Sequence, residues 1–204
     1  MTSPLRIGIT GGIGAGKSIV CEVFKLHKIP VYDADGAARR LINTDQFLRK
    51  EIINLFGTQA YVDNKLDNKF VGKIAFNNPE KLDLLNKAVH PRVGKDYDAW
   101  AGRQSSAYTL KEAALLFETG SYKHLDKVIL VSAPTEVRID RVLKRDPHRS
   151  VTDIEAIMNK QWPESKKADL ADFIVVNDNH QMVIPQVLEI HQKILELANG
   201  EIRR

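Results

Sequence analysis

A short apolar segment near the N-terminus runs directly into a glycine-rich loop, and a helical pattern follows. Residues 5–10, LRIGIT, predict a buried strand, and from Lys17 onward apolar residues recur on one helical face. Between these elements, Gly11 and Gly16 enclose four residues, and Lys17 and Ser18 come next. This is the Gly-x-x-x-x-Gly-Lys-Ser spacing of the P-loop, in the strand–loop–helix context that the motif requires. The feature predicts an α/β fold that binds phosphate just beyond its first strand.

The residue types of this loop explain why it would hold a polyphosphate. Glycine permits unusual backbone angles, so backbone N–H groups can converge on one anion, and the helix that follows directs its positive dipole end at the same charge. Lys17 can reach the outer phosphates, and the Ser18 hydroxyl can bind a Mg²⁺ ion. Ile19 stands where many P-loops carry a second hydroxyl, so we expect one side-chain contact to be missing there while its backbone donor stays. The expected ATP-binding residues of the loop are Gly12, Ile13, Gly14, Ala15, Gly16, Lys17, Ser18 and Ile19.

The rest of the chain alternates strand patterns with helix patterns. Strands are predicted at residues 29–35, 112–118, 127–133 and 173–177, and helices at 36–42, 45–56, from 79 onward, 136–145, 153–161 and 183–197. This order predicts a three-layer α/β domain with a mostly parallel sheet. Two stretches without strands, about 36–100 and 139–167, are interpreted as helical insertions above the carboxyl ends of the strands, where open α/β sheets bind ligands.

Composition limits the partners and the compartment. The 204 residues are 43% hydrophobic, which is enough for one sizeable core, and the net charge of +4 is mild and scattered. Because aromatic residues are also few, we expect no nucleic-acid partner. The single cysteine, Cys21, fits a reducing cytosol, and no segment is long enough to cross a bilayer or resembles a signal peptide. We therefore expect a cytoplasmic protein with no membrane partner, whose oligomeric state the sequence does not indicate.

Two aspartates, Asp33 and Asp35, end the predicted second strand. In an extended chain residues two apart point the same way, so both carboxylates could face the cleft. A carboxylate can orient an alcohol and accept its proton as phosphoryl transfer proceeds. We expect this role for Asp33, whereas for Asp35 helix capping is an alternative.

Three arginines, Arg138, Arg141 and Arg145, share one face of a predicted helix. Such a stripe is usually a solvated surface, but this one follows a strand of a phosphate-binding domain. Arginines that a flexible segment lowers onto the transferring phosphoryl group would stabilise its charge and exclude water. We expect Arg141 or Arg145 to contact phosphate, and residues 139–167 to form a mobile lid.

Six sequence blocks together resemble dephospho-CoA kinase: GITGGIGAGKS, VYDADGAARRLI, LNKAVHP, ALLFETG, RVLKRD and KADLADFIVVN. The resemblance extends over nearly the whole chain and rests on the combination, because the P-loop alone is widely shared. It implies ATP-dependent phosphorylation of the ribose 3′-hydroxyl of dephospho-CoA, the last step of coenzyme A synthesis. The implied fold is a P-loop kinase core at residues 1–35, 101–138 and 168–204, a helical substrate-binding domain at 36–100 and a lid at 139–167.

The resemblance also implies roles for single residues. It makes Asp33 the base, and Lys17 and Arg145 the other catalytic residues. It adds three substrate-binding residues to Asp33, namely Asp35, Arg39 and His90. The position of His90 on an apolar helix face would, taken alone, indicate a packed histidine.

Two further residues, Arg141 and Asn177, join the loop at the implied ATP site. Glu118 ends the LLFE block beside the loop, where the resemblance allows a role near the metal. Two departures from the family pattern are Ala114 in place of a common proline, and Ile19 in place of a common threonine. The second departure affects only one side-chain contact to ATP.

Two alternative functions stay open at this point. Another small-molecule kinase, for shikimate, a nucleoside or a nucleotide, would also use a P-loop, a base and lid arginines; the large strand-free insertion after Asp35 favours a bulkier acceptor. A GTP-driven switch is indicated by the spacing of Asp33 and Gly36. The nearest match to its guanine-selecting motif, at residues 159–162, lacks the aspartate and lies in a predicted helix.

Overall fold

The computed structural model describes residues 3–200, which belong to two compact units. The first unit comprises the chain up to Asp33 and again from Ala101 onward. The second comprises Ala34–Trp100. The backbone therefore passes between the units twice, directly after Asp33 and directly after Trp100.

Residues 3–200 contain seven strands and nine α-helices. The strands are β1 (Leu5–Thr10), β2 (Val31–Asp33), β3 (Tyr61–Val62), β4 (Lys65–Leu66), β5 (Tyr108–Glu112), β6 (Lys127–Ser132) and β7 (Phe173–Val176). The helices are α1 (Lys17–Leu26), α2 (Ala34–Thr44), α3 (Gln46–Phe56), α4 (Asn68–Asn77), α5 (Pro79–Ala101), α6 (Thr135–Arg145), α7 (Val151–Met158), α8 (Glu164–Ala168) and α9 (Val183–Asn199). None of these helices is both long and apolar enough to span a membrane.

Five strands of the first unit form one parallel sheet in the order β2-β5-β1-β6-β7. After β1 the chain builds one side of the sheet with β2 and β5, and then the other side with β6 and β7. The direction of winding therefore reverses beside β1. In open α/β sheets ligands bind at this switch point, outside the carboxyl ends of the strands.

Apolar side chains cover both faces of this sheet. On one face, Ile9 of β1, Phe24 of α1 and Ile194 of α9 are fully buried in one cluster. On the other face, a Cβ placed on Gly8 would overlap the side chain of Leu116, which belongs to a second buried cluster. The predicted three-layer α/β fold with a mostly parallel sheet is therefore confirmed.

The predicted strand at residues 112–118 is wrong. The strand ends at Glu112, and the apolar residues after it form turns in which Thr119 N–H donates to the carbonyl of Leu115. Leu116 and Phe117 are buried against the sheet, whereas Leu115 is 41% exposed. A short apolar run is compatible with a strand or with a packed turn, and periodicity alone does not separate them.

The second unit is helical, but it also contains a small hairpin. The strands β3 and β4 pair antiparallel through a turn in which Asp63 and Asn64 have φ of 48° and 63°. The expectation that this region lacks strands is therefore wrong, because two-residue strands are too short to produce an alternating pattern. Helix α3 matches its prediction: the Asp45 side chain accepts hydrogen bonds at its start, and Gly57 ends it.

Candidate active site

The glycine-rich loop between β1 and α1 depends on its glycines in two ways. Gly14 and Gly16 have φ of 78° and 94°, a region that residues with side chains rarely adopt. A Cβ on Gly12 would overlap the guanidinium of Arg138, and one on Gly16 would overlap the Asn177 amide. The loop is thus closely surrounded by polar side chains from later in the chain.

The start of α1 presents donors suited to an anion. Gly16 is the N-cap of this helix, and no side chain among the described residues caps it. N–H groups in a first helical turn usually lack partners within the helix, so they can bind a phosphate. Ser18 and Ile19 are exposed in this turn, and the Ile19 N–H donates to the Gly16 carbonyl at 3.1 Å. Ala15 is fully buried, and its N–H donates to the Gly12 carbonyl at 3.1 Å. The Lys17 ammonium donates to the carbonyl of Gly11 at 3.0 Å, so it already lies over the loop.

Two carboxylates stand beside the loop at the carboxyl ends of the strands. Asp33, the last residue of β2, is in register with Glu112, the last residue of β5. Glu112 is in turn in register with Ile9 of β1, one residue before that strand ends. Neighbouring strands lie about 4.8 Å apart, so this row places Asp33 about 10 Å across the sheet from β1. Asp33 is exposed, as a residue that meets a substrate must be.

Sequence reasoning missed Glu112 because it treated this residue as the start of a strand rather than its end. Burial raises the pKa of the Cys21 thiol, and the Glu112 carboxylate raises it further. Lys17 lowers the pKa of Cys21, although by less than burial raises it. Glu112, at the end of β5, and Lys17, at the start of α1, are therefore both close to Cys21, which lies on the second turn of α1.

The sequence predicts that Asp35 lies on the same strand as Asp33, and this prediction is wrong. The strand ends at Asp33 and α2 begins at Ala34, so Asp35 falls in the first turn of a helix, where an acidic side chain is favourable. Arg39 is one turn further along α2, and both residues are exposed. His90 is also exposed, whereas Val89 beside it on α5 is buried, so the apolar-face position expected for His90 is wrong.

Arg141 and Asn177 form a polar bridge to the loop. The Asn177 amide Nδ2 donates to the carbonyl of Ala15 at 2.9 Å, and Asn177 Oδ1 accepts from Arg141 Nη2 at 3.0 Å. Arg141 also donates to the Asn179 side chain and, at 3.5 Å, to the carbonyl of Ala15. The guanidinium of Arg141 is thereby fixed at the edge of the loop.

The other two arginines of α6 differ from Arg141. Arg145 is 63% exposed, and the partner described for it is the neighbouring Asp146, at 2.9 Å. Arg138, to which the sequence assigned no role of its own, is 12% exposed and lies against Gly12. The stripe is therefore not simply a solvated helix face.

Gln161 contacts the loop, although no motif in the sequence indicates this role. Its Oε1 accepts from the N–H of Ile13 at 3.0 Å, and its Nε2 donates to the carbonyl of Ala114 at 3.3 Å. The partners are separated by 148 and 47 residues along the chain, so no local pattern indicates them. Gln161 thus joins the loop to the segment that follows β5.

Glu118 forms a buried ion pair next to this segment. Its Oε1 accepts from Lys167 Nζ at 2.7 Å and from the Trp162 N–H at 2.8 Å. The Lys167 side chain is only 2% exposed. These contacts involve only Oε1, whereas Oε2 is buried and has no hydrogen-bond partner. The role near the metal that the resemblance allows for Glu118 therefore stays a prediction.

A parallel sheet with a P-loop at its switch point and an acid at the end of a nearby strand defines the P-loop kinase fold. A family model described as dephospho-CoA kinase, CoaE, matches residues 5–182. The chain therefore belongs to the dephospho-CoA kinase family.

Single proteins agree with this assignment. The dephospho-CoA kinase of Bacteroides fragilis is 31% identical over 202 residues, which cover 97% of this chain and 98% of the relative. A solved structure, TT1252 from Thermus thermophilus, has a TM-score of 0.85 and 31% identity, covering 94% and 98% of the two chains. Dephospho-CoA kinase from Campylobacter jejuni has a TM-score of 0.68 and 26% identity, covering 97% and 98%.

Proposed function

We propose that this enzyme transfers the γ-phosphoryl group of ATP to the ribose 3′-hydroxyl of dephospho-CoA, giving CoA and ADP in the cytoplasm. The acceptor oxygen forms a bond to the γ-phosphorus, the bond from that phosphorus to the bridging oxygen breaks, and the hydroxyl proton passes to Asp33. The observation that carries the proposal is the strand register, which aligns Asp33 and Glu112 with the end of β1, beside the P-loop.

The loop residues Gly12 to Ile19 hold the triphosphate in this proposal. Backbone N–H groups at the start of α1 bind phosphate oxygens, and the Lys17 ammonium moves from the Gly11 carbonyl to the outer phosphates. Both interactions strengthen as negative charge develops on the transferring group, which is the condition for faster chemistry. Arg141 and Asn177, at the edge of the loop, contact the nucleotide, and Arg145 reaches the phosphates from the lid.

Mg²⁺ is the metal that fits the two oxygen donors beside the loop, the Ser18 hydroxyl and the Glu112 carboxylate. No cluster of three or more His, Cys, Asp or Glu side chains that could hold a metal occurs among residues 3–200. Mg²⁺ in kinases does not need such a cluster, because one or two protein oxygens plus phosphate and water suffice. The Ser18 hydroxyl and the Glu112 carboxylate would hold it here. When bound, it neutralises charge on the β- and γ-phosphate oxygens.

The second unit binds the acceptor in this proposal. Asp35 and Arg39 are exposed on α2, and His90 is exposed on α5, so all three are available to polar groups of dephospho-CoA. Arg39 and His90 suit its phosphate groups, since guanidinium and imidazole N–H groups donate to anionic oxygens. We also propose, as the sequence predicts, that the rest of the chain divides into a nucleotide-binding core and a lid at residues 139–167.

An acceptor panel tests the function. Purified protein is mixed with ATP and Mg²⁺ and with dephospho-CoA, shikimate, a nucleoside or a nucleoside monophosphate, and ADP release is followed. We expect turnover with dephospho-CoA alone, with a product that carries phosphate on the 3′-oxygen. Turnover with shikimate or a nucleotide but none with dephospho-CoA would overturn the proposal. Tight GTP binding without affinity for ATP would instead indicate a switch protein.

A further inference from the structure

Arg138 lies directly against the P-loop. Its guanidinium occupies the space where a side chain on Gly12 would be, and its backbone closes on Gly14 in the same way. The side chain is 12% exposed, so it is largely removed from water. A cation is therefore buried against the segment of the chain that is suited to an anion.

This cation is poorly partnered. Its closest carboxylate contact, from Nη1 to Glu164 Oε2, is 3.4 Å long, whereas charge-assisted hydrogen bonds are usually 2.7–2.9 Å. Its Nη2 donates to the sulfur of Met158, a weak acceptor. Its Nε is buried and has no hydrogen-bond partner. A guanidinium has five N–H donors, so most of its donor capacity here is weakly used or unused.

Arg138 is not the only partner of the Glu164 carboxylate. Its other oxygen, Oε1, accepts a short hydrogen bond from the Ser132 hydroxyl. The carboxylate thus has its stronger contact with Ser132 and its weaker contact with the guanidinium. Release of Arg138 would leave Glu164 hydrogen-bonded at its other oxygen.

We propose that Arg138 is a further phosphate-binding residue of this kinase, which exchanges Glu164 and Met158 for the terminal phosphate of the nucleotide. The proposal rests on the proposed function only in requiring that the P-loop binds a nucleoside triphosphate. A guanidinium matches phosphate oxygens with two parallel hydrogen bonds, which would satisfy donors that are now poorly used. Arg141 cannot substitute for it without giving up its bonds to Asn177 and Asn179.

The alternative is that Arg138 is only a brace that holds α7 and α8 through Met158 and Glu164. The two roles predict different dependence on the number of phosphates. Replacing a residue that binds the terminal phosphate weakens ATP binding most, ADP binding less and AMP binding not at all. Replacing a brace changes the shape of the whole site and weakens the binding of all three nucleotides equally.

The experiment measures the dissociation constants of ATP, ADP and AMP for wild-type protein, Arg138→Gln and Arg138→Lys, without an acceptor. The control is Lys144→Gln, which removes a charge from the exposed face of the same helix. We expect Arg138→Gln to weaken ATP binding roughly tenfold or more, the scale of one charge-assisted hydrogen bond. ADP binding should weaken less, AMP binding should not change, Arg138→Lys should recover part of the loss, and the control should match wild type. Equal losses for the three nucleotides, or no loss for ATP, would overturn the proposal.

Glu164→Gln provides a second test that keeps Arg138 in place, should Arg138→Gln fold poorly. We expect ATP to bind this variant at least as tightly as wild type, because the guanidinium is released from a competing carboxylate. A loss of ATP affinity in Glu164→Gln would show that the pair acts as a brace. Because no acceptor is present, failure of wild type to phosphorylate dephospho-CoA would count against the proposed function and not against this inference.

Discussion

Asp33 and Glu112 stand in register at the carboxyl ends of β2 and β5, two acids on adjacent strands beside the P-loop. Their surroundings differ, because Asp33 is exposed whereas Glu112 is partly buried and close to Cys21 of α1. This difference is the basis for giving them separate roles in our proposal, with the exposed acid facing the acceptor and the inner acid facing the metal and phosphates.

Replacement of the exposed acid tests its role as base. We expect Asp33→Asn to bind ATP normally and to lower kcat roughly 10²-fold or more, the usual effect of losing a positioned acid–base group. Steady-state kinetics with dephospho-CoA, together with ATP titration, measures both quantities. Asp140→Asn, which removes an exposed carboxylate from α6, serves as the control and should match wild type. A normal turnover rate in Asp33→Asn would show that another residue acts as the base, and Asp35 would be the next candidate.

Loss of the loop lysine should impair the chemistry more than the fold. We expect Lys17→Ala to lower kcat/KM for ATP roughly 10²–10³-fold, because a cation that faces the developing phosphoryl charge is removed. The melting temperature should change little, since the side chain is only partly buried and its bond to the Gly11 carbonyl lies within the loop itself. A near-normal rate would mean that the loop does not take part in catalysis.

The Asn177 bridge should matter for stability as well as for nucleotide binding. Asn177 is 7% exposed, and its amide supplies the 2.9 Å bond to the Ala15 carbonyl. We expect Asn177→Ala to lower the free energy of unfolding by about 1–3 kcal/mol, because the Ala15 carbonyl loses the shorter of its two hydrogen bonds. ATP affinity should fall as well, because Arg141 loses one of the two side chains that hold it, and keeps only its bond to Asn179. Denaturant unfolding and ATP titration on one preparation measure both, and an unchanged midpoint with unchanged affinity would contradict the role.

Histidine protonation should make the fold sensitive to acid where α9 packs against the end of α1. Burial lowers the pKa of His191 below its ordinary value, and His27, whose ring lies 5.1 Å away, lowers it further. The Tyr108 hydroxyl is 2.6 Å from His191 Nδ1. A base whose pKa is depressed on folding binds fewer protons in the folded state, so stability is lost as pH falls below about 6.5, the unfolded value.

The corresponding measurement is the melting temperature between pH 8 and pH 5. We expect a decrease that begins near pH 6.5 in wild type and is smaller in His191→Gln, which cannot take up the proton. Lys28→Gln, on the surface beside His27, is the control and should follow the wild-type curve. A decrease of the same size in His191→Gln would assign the acid sensitivity to other groups.

The proposed lid should exchange its amide hydrogens faster than the sheet when no nucleotide is bound. Residues 146–150 have little helix to protect them, whereas Gln161 and Lys167 bond to the loop segment and to Glu118. We therefore expect the fastest exchange at residues 146–150 and slower exchange towards residue 167. Hydrogen exchange with and without ATP tests this expectation. Protection across 139–167 equal to that of the sheet would contradict a mobile lid.

Elements fixed by local chemistry could be predicted from the sequence. The P-loop spacing fixes the end of β1 and the start of α1 at Lys17, because only that residue order lets a strand turn into a helix around an anion. Asp45 and Gly57 likewise mark the ends of α3 through a side-chain cap and a glycine with positive φ.

Features that depend on distant partners could not be predicted in this way. The apolar residues 113–117 form turns that bury Leu116 and Phe117, and only the pairing of β5 with β1 and β2 decides where the strand ends. Gln161 and Arg138 reach the loop because α6, α7 and the residues between fold back over it, which no spacing in the sequence indicates. Glu112 went unnoticed for the same reason, since its role depends on which residue ends the strand.

The Ala15 carbonyl oxygen of the P-loop accepts from two donors of the protein itself, Asn177 Nδ2 and Arg141 Nη1. A carbonyl oxygen has two lone pairs, so this one has no capacity left to coordinate a metal cation. A divalent ion that enters with the phosphates must therefore bind through oxygens other than this one.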